Sequence, residues 1–145
     1  WYAGVGSAVP TVDGLPDSRR EADAALRVLH GRRRPEQRVA DFASIQVEAL
    51  LLRVADAVAA DRVQLAGPLA VLADYDREHA SDLRGSLVTW LEHFGDVAGA
   101  AQSMHVHKNT FRYRLARIAE LTGADLADPD ARFGLMLQAR IFDDR

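Results

Sequence analysis

The sequence contains no cysteine among its 145 residues, which excludes disulfide bonds, thiolate metal sites and cysteine nucleophiles. It also contains no apolar run near the roughly 18 residues that a membrane-spanning helix requires. The chain opens on Trp1 without the basic, apolar and small-residue order of a signal peptide, so we interpret it as a piece of a longer protein. Together these absences predict a cytoplasmic protein with no membrane role.

Acidic residues are missing from one stretch of the chain, between Asp96 and Glu120. The whole chain has 18 lysine and arginine residues against 21 aspartate and glutamate residues, a net charge of −3. This balance argues against a protein that coats nucleic acid through bulk positive charge. Any affinity for DNA must therefore come from this acid-free window, residues 97–119, which holds Lys108, Arg112, Arg114 and Arg117.

Residues 1–42 are predicted to be a small, incomplete α/β segment. Small and β-branched residues predict a strand over Tyr2–Val9, and a second short strand is predicted over Arg38–Phe42. Between them we expect a helix that is capped by Asp17 or Ser18. A strand, a helix and a strand do not make a stable sheet by themselves, so something must complete it.

Residues 43–80 are predicted to be linker helices with a dimerisation surface. From Ser44 onward the apolar residues cover well over one face of a helix, which predicts burial on two sides. Pro68 stands where it can open another short helix. The broad apolar surface is where we expect a second copy of the chain to pack, and its members are Leu50, Leu51, Leu52 and Val54.

Residues 81–145 are predicted to be a helical, mainly α helix-turn-helix domain. Asp82 can cap a first supporting helix that ends at Gly95, and Asp96 can cap a short second helix of small residues. Small side chains allow a neighbouring helix to cross closely. The apolar positions of the first helix recur at three- and four-residue steps, and they are Leu83, Leu87, Trp90, Leu91 and Phe94.

A third helix, over about residues 107–122 and starting at His107 or Asn109, is the candidate recognition helix. One side carries a stripe that faces the core: Phe111, Leu115, Ile118 and Thr122. The opposite side is basic and polar. In a helix-turn-helix, the N-terminal residues of this helix reach base edges in the major groove, while its flanks and free amides hold phosphates.

The polar side of this helix supplies the predicted DNA contacts. Lys108 can donate to guanine O6 and N7, and Asn109 can pair with adenine N6 and N7. The other side chains suit phosphates better, although Arg114 can instead pair with an acid on a neighbouring helix. The complete predicted set is His107, Lys108, Asn109, Thr110, Arg112, Tyr113, Arg114 and Arg117.

Residues Leu83 to Phe142 resemble the C-terminal helix-turn-helix of the PucR family of bacterial transcription regulators. The resemblance is carried by the run His105 to Leu115 and by Leu121-Thr122-Gly123, with further likeness at Tyr75-Asp76, Ala100-Ala101 and Asp128-Pro129. The inner part also resembles Fis-like helix-turn-helix motifs, which usually carry glycine where this sequence has His105. The Fis likeness implies that the matching positions lie against DNA, namely His107, Lys108, Thr110, Tyr113 and Arg114.

The front of the chain resembles the end of the GGDEF-like, CdaR-type domain that precedes this helix-turn-helix in the PucR family. Val5-Gly6-Ser7 and Glu21-Ala22 carry the likeness, but the sequence contains no Gly-Gly-Asp-Glu-Phe motif. The resemblance implies sensing or dimerisation rather than catalysis. Since no acid/base pair, Gly-rich phosphate loop or nucleophile motif stands out either, we expect no enzyme and no cofactor.

Several features have a plainer interpretation than contact with a ligand. His105 and His107 lack a third metal ligand, so we expect no metal site. Trp90, Phe94 and Phe111 stand at helical spacing and are expected in the core rather than stacked on bases. We expect the basic segment Arg32-Arg33-Arg34 to be a solvated loop rather than a second DNA contact.

The sequence therefore predicts the DNA-binding output module of a bacterial transcription regulator, acting as a homodimer on double-stranded DNA. The alternative is an oligomerisation or protein-interaction module whose basic helix is only solvated. A third interpretation, that the chain is a remnant of a nucleotide-binding or cyclase domain, is supported by the front segment alone. A small-molecule effector, if there is one, is expected to be sensed by regions outside this sequence.

Overall fold

The computed structural model describes residues 1–31, 37–61 and 66–142, and they group into two compact units. The first unit holds the described residues up to 61, and the second holds residues 66–142. The predicted fold class is confirmed, since a small strand pair is followed by a chain that is mainly helical. Within the described ranges, no helix is long and apolar enough to cross a bilayer.

The first unit is a parallel pair of short strands with two helices. Strand β1 spans Ala3–Val5, and helix α1 spans Leu15–Gly31. Strand β2 spans Val39–Asp41, with Ala3 opposite Val39, and helix α2 spans Gln46–Ala60. Both strands are shorter than predicted, and α1 begins before the predicted caps. Short 3-10 turns occupy residues 12–14 and 42–45.

Strand β1 lies tightly on α1, and glycine makes this approach possible. A Cβ atom added at Gly4 would collide with the carbonyl oxygen of Ala22. Just beyond the strand, the amide of Ser7 donates to the carboxylate of Glu21 at 2.7 Å. The pKa of Glu21 is lowered, first by the side-chain hydroxyl of Ser7 and then by this amide. The core of the unit consists of Ala25, Val28, Leu29, Ala40, Ile45, Ala49 and Leu52.

Helix α2 buries one side within its unit and exposes the other. Ala49 and Leu52 are buried in the core of the first unit, so the prediction that Leu52 belongs to a surface for a second copy is wrong. Val47, Leu50 and Val54 lie on the other side, exposed by 68%, 58% and 37%, and are called the α2 stripe below. The sequence predicts that α2 is buried on two sides. Within this unit, one side of α2 is buried and the other is exposed.

The second unit consists of five helices. Helix α3 spans Pro68–His79, α4 spans Leu83–Glu92 and α5 spans Val97–Ser103. Helix α6 spans Lys108–Thr122 and α7 spans Pro129–Ile141. Helix α7 was not predicted from the sequence.

The sequence carries two start signals for α7. The carboxylate of Asp128 accepts hydrogen bonds from the amides of Asp130 and Ala131 at 3.3 and 3.0 Å, and Pro129 occupies the first helical position. In the sequence, the Asp128-Pro129 pair also belongs to the family resemblance. Helix α7 packs on α3 and α4 and completes the core.

Helix α6 packs against α3, α4 and α5. Phe111 and Ile118 of its predicted stripe are fully buried, and Leu115 packs at the edge of the core. Close approach to α5 is possible because the buried residues of α5, Ala100 and Ala101, have side chains of a single methyl group. The buried core of the unit is Leu69, Leu72, Leu83, Leu87, Trp90, Leu91, Ala100, Ala101, Phe111, Ile118, Leu135 and Ala139.

The prediction that Phe94 lies in the core is wrong. Its side chain is 93% exposed, whereas Trp90 and Phe111 are buried as predicted. Helix α4 ends at Glu92, and Phe94 adopts a positive φ of 53°, so its side chain leaves the helical stripe. The indole of Trp90 closes this turn by donating to the carbonyl oxygen of Gly95 at 2.9 Å.

The structure groups the middle of the chain differently from the division at residues 42 and 80. Helix α2 packs on α1 in the first unit, whereas α3 packs on α4, α6 and α7 in the second. The division of the chain at residues 42 and 80 stays a prediction. The Arg32-Arg33-Arg34 loop lies outside the described residues.

Candidate nucleic-acid interface

A tight turn joins α5 to α6, and His105 gives it its shape. The φ angle of His105 is 55°, in the left-handed region that favours glycine. The amide of the next residue, Val106, returns to the carbonyl oxygen of Ala101 at 3.0 Å, which satisfies the end of α5. The Fis-like resemblance expects glycine at the position of His105, and the backbone conformation explains why.

We expect His105→Gly to raise the free energy of unfolding of the second unit by about 0.5–1 kcal/mol, because it relieves the left-handed strain. Urea denaturation measures this difference. Ala116→Gly is the control, since the exposed Ala116 lies in the middle of α6 and its replacement should cost about 1 kcal/mol. Equal destabilisation by both changes would contradict the assignment of strain to His105.

The N-terminus of α6 presents free hydrogen-bond donors. His107 is the N-cap, and its Nδ1 atom accepts from the amide of Asn109 at 3.2 Å. The carbonyl oxygen of His107 accepts from the amide of Phe111 at 3.0 Å. Among the described residues, nothing bonds to the amides of Lys108 and Thr110. These amides point out of the helix start, where anions bind favourably.

Six of the eight predicted contact residues lie on the exposed face of α6 or at its cap. Tyr113 is 71% exposed. Arg112 contacts its neighbour on the same face, its Nη1 atom lying 3.4 Å from Oδ1 of Asn109. The exposed members of the set are His107, Lys108, Asn109, Thr110, Arg112 and Tyr113.

Arg114 is different because it reaches into the protein. It is half-buried and donates from Nη1 to the hydroxyl of Ser86 on α4 at 3.0 Å. Ser86 is fully buried, and its hydroxyl donates in turn to the carbonyl oxygen of Asp82 at 2.6 Å. The sequence predicts either a phosphate or an acidic side chain as the partner of Arg114. In the structure its partner is a neutral hydroxyl.

Arg117 is also engaged within the protein. Its Nη1 atom donates to the carboxylate of Glu120 at 2.7 Å, and its guanidinium lies over the ring of Tyr75, 5.4 Å from the centroid. The pKa of Arg117 is raised, first by the bond to Glu120 and then by the hydroxyl of Tyr75. The ring of Tyr75 stacks in turn on His79 of the same helix, with centroids 4.0 Å apart.

Sequence reasoning missed Asp76, which holds the start of α4. Its carboxylate accepts from the amides of Leu83 and Arg84 at 2.7 and 2.8 Å and from the hydroxyl of Ser81 at 2.5 Å. The predicted cap Asp82 accepts from the amide of the third helical residue, Gly85, at 3.1 Å. The only signal for Asp76 was the Tyr75-Asp76 pair of the family resemblance.

The arrangement of α4, α5 and α6 defines a helix-turn-helix domain. Residues 83–141 match the family model described as the PucR C-terminal helix-turn-helix domain, so this part of the chain belongs to that domain family. Relatives with functional names include the carbohydrate diacid regulator of Escherichia coli and the DNA-binding transcriptional activator AdeR of Bacillus subtilis. The family is one of transcription regulators rather than enzymes.

The similarity covers different shares of the relatives. The carbohydrate diacid regulator is 32% identical over 120 residues, which is 81% of this chain and 30% of that protein. AdeR is 32% identical over 73 residues, 50% of this chain and 17% of AdeR. An uncharacterized protein in the pkwA 5′ region of Thermomonospora curvata is 34% identical over 146 residues, 99% of this chain and 75% of that protein. The chain thus spans less than a third of either named regulator.

Proposed function

We propose that the second unit binds double-stranded DNA as the output module of a bacterial transcription regulator, with α6 in the major groove. The observation that carries the proposal is the exposed face of α6, which combines cationic and amide side chains with free amides at the helix start. No acidic residue lies within the window 97–119 to repel phosphate.

The contacts in this proposal divide by position along α6. Lys108 and Asn109, at the helix start, read base edges in the major groove. The amides of Lys108 and Thr110 hold a phosphate, as free helix-start amides do in other proteins. His107, Thr110, Arg112 and Tyr113 complete the contacts with the sugar–phosphate backbone.

Lys108→Ala should weaken binding by about tenfold, because it removes a base contact at the helix start. Mobility-shift titration checks this on DNA from upstream of the chain's own gene and on a duplex that the wild-type chain selects from a random library. Arg77→Ala is the control: it removes the same charge from exposed Arg77 of α3, which pairs with Asp74. If both variants bind like the wild type, the proposal fails and an interaction module is favoured.

We also propose that the chain acts as a homodimer through the α2 stripe. A single recognition helix reads few base pairs, and two half-sites about 10 base pairs apart supply the missing specificity. The stripe offers Val47, Leu50 and Val54 at helical spacing, all exposed. Apolar side chains of this kind gain free energy when a partner covers them.

Leu50→Asp is expected to convert a dimer to a monomer, because it places a charge in the centre of the apolar contact. Sedimentation velocity measures the change. Leu15→Asp is the matched control, since Leu15 is 54% exposed against 58% for Leu50 and lies at the start of α1 instead. A monomeric wild type, or dimers unaffected by Leu50→Asp, would contradict this surface.

The first unit, we propose, is the end of a GGDEF-like domain that contributes to dimerisation. Two observations support this: the parallel β1–α1–β2 arrangement, and relatives whose similarity extends over 81% and 99% of the chain, well beyond residues 83–141. Ser7 and Glu21, which carry part of the resemblance, hydrogen-bond to each other. The Leu50 variant tests this role, because α2 belongs to the first unit.

A further inference from the structure

We propose that Arg114 is a positioning residue for DNA binding, which acts through the buried Ser86 to orient α6 and does not neutralise a phosphate. This inference rests on the proposed function, and it departs from the expectation that Arg114 lies against DNA. It is carried by a hydrogen bond between two helices of the second unit, from Arg114 of α6 to Ser86 of α4.

The first step is that Arg114 satisfies the buried hydroxyl of Ser86. The hydroxyl of Ser86 has one proton, and that proton is donated to the carbonyl oxygen of Asp82. Its oxygen can therefore only accept a further bond, and Arg114 supplies the donor at 3.0 Å. Because Ser86 is fully buried, withdrawing Arg114 toward a phosphate would leave this lone pair without a donor.

The second step is that α6 has a matching anchor one turn further on. Arg117 lies over Tyr75 of α3 and pairs with Glu120. Arg114 and Arg117 thus hold α6 against two different helices, α4 and α3. A recognition helix needs a fixed position, because a shift of about 1 Å at the groove breaks bidentate base contacts.

The third step is that the cations of the acid-free window divide into two pairs. Lys108 and Arg112 are exposed, and no carboxylate of the described residues pairs with either. Arg114 donates a hydrogen bond to Ser86, and Arg117 forms an ion pair with Glu120. Among these cations, the salt dependence of binding should therefore report Arg112, with a slope of about 0.9 for each phosphate that is contacted.

The experiment measures the dissociation constant of the selected duplex against salt concentration for the whole chain and four variants. We expect Arg112→Ala to reduce the slope of log affinity against log salt by about 0.9. Arg114→Ala and Ser86→Ala should instead weaken binding by about five- to tenfold at every salt concentration, with the wild-type slope. The double variant should bind no more weakly than Arg114→Ala alone, because both changes remove the same bond.

A control separates positioning from general loss of stability. The hydroxyl of Thr122, also on α6, donates to the carbonyl oxygen of Ile118 at 2.7 Å, far along the helix from its N-terminus. Thr122→Ala should lower the melting temperature and leave the affinity unchanged. If Thr122→Ala weakens binding as much as Ser86→Ala, the effect is general destabilisation and the inference is wrong.

Two results would overturn the inference while leaving the proposed function intact. They are a smaller slope for Arg114→Ala, as for Arg112→Ala, or wild-type affinity for Ser86→Ala. Failure of the proposed function looks different: the wild-type chain then binds no duplex, or Lys108→Ala and Arg112→Ala change neither affinity nor slope. Because Ser86 is fully buried, it cannot touch DNA itself, so a loss of affinity in Ser86→Ala cannot come from a lost DNA contact.

Discussion

Phe111→Ala is expected to lower the free energy of unfolding of the second unit by about 4 kcal/mol. The side chain is fully buried, and it belongs to the core cluster that joins α6 to the other helices. Truncation removes a large apolar surface from the core and leaves a cavity that the surrounding helices fill only in part. Denaturant unfolding followed by the fluorescence of the buried Trp90 measures the loss.

Tyr113→Ala is the control for this result, because it removes another aromatic ring two positions along the same helix. Tyr113 is 71% exposed, so the change should alter the free energy of unfolding by less than about 0.5 kcal/mol. It should weaken binding to DNA instead, if the proposed interface is right. Comparable destabilisation by both changes would contradict the assignment of the two faces of α6.

Asp76→Ala has the second largest expected effect, a loss of about 3 kcal/mol in the free energy of unfolding of the second unit. The carboxylate binds two amides at the start of α4 and the hydroxyl of Ser81, so its removal leaves three half-buried donors without their acceptor. The negative charge at this helix start is lost as well. Thermal and urea denaturation check the prediction.

Asp74→Ala provides the comparison, since Asp74 lies on the same helix and forms an exposed ion pair with Arg77 at 2.9 Å. Exposed pairs of this kind contribute little, so we expect a change below about 0.5 kcal/mol. The account of the α4 start would be contradicted if Asp76→Ala were as mild as Asp74→Ala.

The parts of the fold that depend on local sequence were predictable. Asp82 and Asp96 cap α4 and α5 as expected, because a capping side chain binds amides two or three residues ahead. The buried face of α6 followed from the spacing of Phe111 and Ile118, since helical periodicity sets which residues share a side. Helix α6 begins at Lys108 with His107 as its cap, between the two starts, His107 and Asn109, that the sequence allowed.

The parts that depend on distant partners were not predictable. Asp76 binds amides seven and eight positions later in the chain, and Arg114 finds a hydroxyl 28 positions earlier. Periodicity also assumed that α4 continues as far as Phe94, whereas the left-handed turn ends the helical pattern before this residue. Composition could not divide the four cations of the acid-free window into exposed and engaged pairs, because that division is made by tertiary contacts.

In the proposed complex, α6 enters the major groove of double-stranded DNA by its N-terminal end. Amide chemical-shift mapping by NMR, with the selected duplex added to the whole chain, checks this placement. We expect the largest shift changes on residues 107–113, with small changes on α7 and on the α2 stripe. Unchanged signals at residues 107–113, with the largest changes elsewhere, would contradict it.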